Sequence, residues 1–192
     1  MAGGWSKVAR RIRVPLGFVF AVFYLWRARP SAGYLALSLV LVVPGLWLRG
    51  YASGYVKKNA EVTMTGPYAY TRNPLYLGSM LIAFGFALAA RSPAIAILLV
   101  VLFAVIYVPV IRSEEAFLRS KFSGYTAYAM QVPRLIPRLR SRMALASDDG
   151  GFSGALYRKH REYNALIGAV AIYAALILKL CSGRWDLNFF RW

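Results

Sequence analysis

From Ser92 to Ile111 the chain carries no charged side chain, and that single run sets the class of fold. A helix needs about 20 apolar residues to cross the hydrocarbon core of a bilayer. Four more apolar runs accompany it, at roughly Val14–Trp26, Ala32–Leu48, Leu75–Ala90 and Ala165–Cys181. The second and fifth lie at the lower edge of spanning length, and the third reaches it by using Tyr70–Pro74 at the interface. The first is short and suits a tilted or half-inserted helix. Arg27–Pro30 and Arg91–Pro93 are tight connections, which make antiparallel hairpins of runs one and two and of runs three and four. The expectation is an all-α, polytopic integral membrane protein: one domain over 1–192, with about five transmembrane helices.

Charge then orients the spans. The sequence is 59% hydrophobic yet carries 24 Lys and Arg against 7 Asp and Glu. These basic residues lie between greasy runs, which excludes nucleic acid as partner and fits loops that meet anionic headgroups of membrane lipids. Eighteen of them fall on one side: Lys7 to Arg13, Arg49, Lys57, Lys58, Arg72 and those of 112–164. Arg27, Arg29, Arg91, Arg184 and Arg191 fall on the other, while Lys179 lies in the last run and snorkels outward. The amino terminus and the basic linker 138–164 are therefore expected on the cytoplasmic side, in a multi-pass protein of the bacterial inner membrane. The basic, then apolar, amino terminus lacks a convincing cleavage site and is read as retained. Cys181 and His160 are the single members of their kinds, so a disulfide framework or a protein-held transition metal is not expected.

Two polar segments on that side carry the chemistry. In the first, Gly66-Pro67 marks a turn, and Asn73-Pro74 reads as a helix start. Asn73 is expected to cap the free amides, leaving a positive helix end that suits a carboxylate or phosphate. Tyr68, Tyr70 and Tyr76 surround it and Arg72 adds a fixed charge; an interfacial aromatic belt would use the same residues. In the second, Glu114 and Glu115 stand where run four emerges, about 100° apart on a helix, so one at most faces inward easily. They could hold an amino group, a cation or ribose hydroxyls, or simply pair with Arg112 and Arg119 in solvent. Val132-Pro133-Arg134-Leu135-Ile136-Pro137 reads as an extended strip along the surface.

The pattern Gly66-Pro67-Tyr68, Arg72-Asn73-Pro74, Tyr76 and Gly78, followed by Glu114-Glu115, Leu118, Phe122 and a later Val-Pro-Arg, resembles the isoprenylcysteine carboxyl methyltransferase family. That family and the related phospholipid methyltransferases are membrane enzymes that use S-adenosylmethionine; the resemblance covers about 60–137. It implies a cytoplasmic-face cofactor site. Glu61, Val62 and Thr63 would line the cofactor, Tyr68 would contact it, and Asn73, Pro74, Leu75 and Tyr76 would hold its polar end beside Arg72. Glu114 would bind it from run four, with Arg112 and Glu115 as the catalytic candidates and a lipophilic small molecule or prenylated or lipid chain as acceptor. Asn73 stands where many members have histidine, and the turn Phe122–Tyr125 is one residue short. Val110 occupies the position of an arginine linked to the acceptor carboxylate in the eukaryotic enzymes. Two other readings stay open: a sterol-reductase-like oxidoreductase using NADPH, and a non-catalytic membrane protein.

Overall fold

A computed structural model describes residues 17–57, 61–138 and 151–182. The basic amino terminus, Lys58, residues 139–150 of the expected linker 138–164, Arg184 and Arg191 lie outside the described residues. Among the described residues every regular element is helical: α1 (Gly17–Arg27), α2 (Ala32–Ser53), α3 (Pro74–Ala90), α4 (Pro93–Lys121), α5 (Tyr125–Gln131), α6 (Gly154–His160) and α7 (Tyr163–Ser182). A single 3-10 turn, Gly66–Ala69, precedes α3. Helices α2, α4 and α7 are long and apolar enough to cross a membrane; α1 and α3 are apolar but shorter. The count of spans settled by length is thus three, against the five expected.

Local sequence accounts for the boundaries. Helices α3 and α4 each open on a proline, Pro74 and Pro93, where no amide donor is needed. Arg91 ends α3 in a left-handed conformation, φ 50°, and the chain turns at once into α4. Within α4 the segment Phe103–Tyr107 widens into a π turn, with the Val108 amide donating to the Phe103 carbonyl. Pro109 explains it: its ring collides with the carbonyl four residues back, Val105, and the widened turn makes room.

Helices α2 and α3 run antiparallel and touch along small residues. A Cβ on Gly78 would stand 2.8 Å from the Gly45 carbonyl oxygen and 2.7 Å from Cγ of Arg49. Backbones this close need glycine on both sides. Around the seam packs a core of Tyr24, Ala28, Leu35, Val42, Phe86, Ile95 and Leu176, drawn from α1, α2, α3, α4 and α7. Buried hydroxyls tie the helices where no water competes: Tyr24 donates to the Phe86 carbonyl (2.9 Å), and Ser38 and Tyr173 share a 2.6 Å bond.

The bundle has two unlike ends. At one, Arg29 donates its amide to the Ala90 carbonyl at 2.9 Å. There the Lys179 amine donates to the Leu25 and Trp26 carbonyls (2.7 and 3.2 Å) and closes the end of α1. At the other end gather Arg49, Arg72, Glu114, Glu115, Arg134 and Glu162. Gly78→Val is expected to cost about 1–3 kcal/mol or more by forcing α2 and α3 apart. Gly168→Ala, facing open space inside α7, should leave the melting temperature in detergent unchanged or slightly raised.

Candidate functional site

The polar end is organised by one buried carboxylate. Glu115 is 5% exposed and takes Arg134 through Nε and Nη2 at 2.7–3.1 Å. Arg72 Nη1 lies 3.2 Å from Oε1 of the same carboxylate. These partners differ from Arg112 and Arg119, the local pairing the sequence suggests, and they come from both polar segments. The backbone follows the same tie. Arg72 donates its amide to the Pro133 carbonyl (2.9 Å), and Arg138 donates to Tyr70 (3.1 Å). The Thr71 hydroxyl bonds the Leu135 carbonyl at 3.0 Å. The strip 132–138 is therefore fastened to 70–73.

Asn73 corrects one expectation. Its side chain makes no cap; Nδ2 donates to the Arg134 carbonyl at 2.9 Å, so it joins the two segments. The first amides of α3 are left without a side-chain cap; Arg72, just ahead of them in the chain, keeps Nε buried without a hydrogen-bond partner and turns Nη1 to Glu115. Glu114 sits about 100° round the helix from Glu115. It is exposed and accepts a 3.1 Å bond from the Tyr76 hydroxyl.

Between the segments lies a cavity of about 520 Å³. Glu61, Val62, Thr63, Tyr68, Arg72, Asn73, Pro74, Leu75, Tyr76, Glu114 and Glu115 all line it. Arg112 does not; it is exposed on α4. Val110 is on the wall, so the position without arginine presents an aliphatic surface there. Ser113, Tyr125 and Tyr128 also line the cavity, and they, like Arg134, carry no site role in the sequence reading. The Val-Pro-Arg motif was the available signal for Arg134, and the Tyr125/Tyr128 spacing on α5 for the others.

The tyrosines are held neutral. Tyr68 is buried, and burial first, then Glu114, pushes its phenol well above the usual range. Burial does the same to Tyr128, whose hydroxyl donates to the Tyr68 carbonyl at 2.7 Å and fixes the 3-10 turn. A small core of Tyr125, Tyr128 and Val132 against Val62, Met64 and Leu118 backs that wall. Among the described residues no group of three or more His, Cys, Asp and Glu side chains lies together.

A cavity that joins the Gly-Pro-Tyr turn, the Arg-Asn-Pro helix start and the Glu-Glu pair agrees with what sequence comparison returns: residues 26–124 match the profile of the phospholipid methyltransferase family. The chain belongs to that family. The match takes in α2, α3, α4 and the cavity wall as far as Gly124.

Over 109 residues, 57% of this family member, it is 38% identical to the cobalt-zinc-cadmium resistance protein CzcN of Cupriavidus metallidurans, covering 49% of that protein. It is 35% identical over 109 residues to the nickel-cobalt-cadmium resistance protein NccN of Alcaligenes xylosoxydans xylosoxydans, covering 50% of it. The chain spans about half the length of these curated relatives. No solved structure matches. Glu115→Gln, which leaves two guanidinium groups without their carboxylate, should destabilise the protein by about 3–5 kcal/mol in denaturant melts. Glu114→Gln, on an exposed side chain, should change stability little.

Proposed function

We propose that this family member is an S-adenosylmethionine-dependent methyltransferase that modifies a lipophilic acceptor at the cytoplasmic surface of a five-helix membrane domain, with the cofactor in the 520 Å³ cavity. The observation that carries the reading is the convergence on that cavity of every residue the resemblance gives to the cofactor. Its volume lies in the range of small-molecule sites, about 300–1,000 Å³. The donor set fits the cofactor's charges. The uncapped α3 start suits the methionyl carboxylate, with Arg72 on the same cavity wall, and Glu114 suits its ammonium or the ribose hydroxyls.

The bound cofactor would supply an electrophilic methyl group, and the protein's part is to hold and shield. Tyr68, kept neutral, and Val62 and Leu118 narrow the cavity and exclude water. Tyr76, tied to Glu114 and edge-on to Tyr107 at 5.7 Å, fixes the wall between α3 and α4. An acceptor tail reaching the site between these helices would lie against Val110 and the π turn; alignment of its nucleophile there is the main source of rate. With Val110 where an arginine would meet a prenylcysteine carboxylate, a neutral or amine lipid acceptor is the better match. The relatives' names suggest that the methylated product serves a heavy-metal response, which growth of a deletion strain on cobalt, zinc and cadmium would test.

Glu114→Gln and Tyr68→Ala should each abolish calorimetric binding of S-adenosylmethionine while the protein stays folded in detergent. Unchanged affinity in either variant would overturn the assignment, and heat on titration with NADPH in its place would favour a reductase.

A further inference from the structure

We infer that Arg49 and Glu162 are a positioning pair, through which the carboxy-terminal helices α6 and α7 set the start of α3 and hence the affinity for the cofactor; this rests on the reading above. Glu162 lies beyond the family match, which ends at residue 124. It follows Arg161, whose left-handed φ of 53° breaks α6 from α7 and brings the carboxylate into the bundle. There it is 13% exposed and accepts from Arg49 Nε at 3.1 Å and Nη2 at 2.8 Å. The remaining arm of the same guanidinium, Nη1, bonds the Ser79 hydroxyl and the Leu75 carbonyl, the latter at 3.4 Å. The stem of Arg49 passes over Gly78, where a side chain would collide with it.

One guanidinium thus joins α7 to the first turns of α3, whose Leu75 and Tyr76 form the cavity wall. The approach of α6 is fixed independently. Ser153 donates its amide to the Gly54 carbonyl (3.0 Å), and His160 Nδ1 donates to the Ser53 carbonyl (3.0 Å). Phe152 stacks on Tyr51 with 6.1 Å between ring centres. Neither Arg49 nor Glu162 lines the cavity, and the hydrogen bonds of Arg49 lead to its wall through α3. Without the carboxylate the guanidinium loses its anchor on α7, and the Leu75 carbonyl loses a fixed donor.

The full chain in detergent is titrated calorimetrically with S-adenosylhomocysteine, and amide exchange is followed over Leu75–Ser79. Glu162→Gln should weaken binding at least about tenfold and speed exchange at the α3 start, with partial recovery in Glu162→Asp. Leu176→Ala, which opens a hole in the core on the same helix, should lower the melting temperature without moving either readout. If Glu162→Gln does not fold, Glu162→Asp against Leu176→Ala makes the same comparison. Unchanged exchange and affinity in a folded Glu162 variant, or equal losses in Leu176→Ala, would overturn the inference. A wild-type protein that binds no cofactor, with exchange faster only in the Glu162 variants, would overturn the methyltransferase reading and leave standing only the pair's hold on the start of α3.

Discussion

A carboxylate buried at the end of a membrane helix is tolerable only if its charge is answered, and Glu115 is answered twice. Arg72 arrives from the segment before α3, and Arg134 from the strip after α5. Removing a buried charge from water is costly without such partners, so the pairing dictates where both segments lie. The cavity follows from it, because the segments that converge on Glu115 are the ones that form its walls. Asn73 and Thr71 complete the join by bonding carbonyls of the strip.

The apolar part of the bundle serves this end by being rigid. Gly45 and Gly78 let α2 and α3 touch at the backbone, which puts the Arg49 side chain across the first turns of α3. The π turn ahead of Pro109 adds a residue to one turn of α4 and so rotates everything after it. Glu114 then faces Tyr76 while Glu115 faces the two arginines. Position along the helix alone would not have set those directions.

The sequence showed these features unequally. Greasy runs and punctuation such as Asn73-Pro74 and Ser92-Pro93 were readable because they act locally, and the helix starts fall there. Number of spans was less so, since α1 and α3 are apolar but short and composition does not fix length. The two polar segments were readable as motifs, but their meeting point was not: the Glu115 partners are distant in sequence, and adjacent Arg112 was the more obvious choice. Asn73 looked like a cap because Asn before Pro usually is one, yet a carbonyl of the fastened strip competes for the same side chain. Arg49 and Glu162 gave no signal at all; each is an ordinary charge near a helix end until the fold brings them within 2.8 Å.

Charge, volume and motif agree on the proposed cofactor site, while the wall proposed to meet the acceptor is mainly apolar. The most direct measurement is ultraviolet crosslinking of methyl-tritiated S-adenosylmethionine to the full chain in lipid nanodiscs, with the labelled peptides mapped. The expected result is label on peptides from both 61–77 and 110–128, removed by excess S-adenosylhomocysteine. Label that the competitor does not displace, or that falls outside both segments, would contradict a cofactor site organised around Glu115.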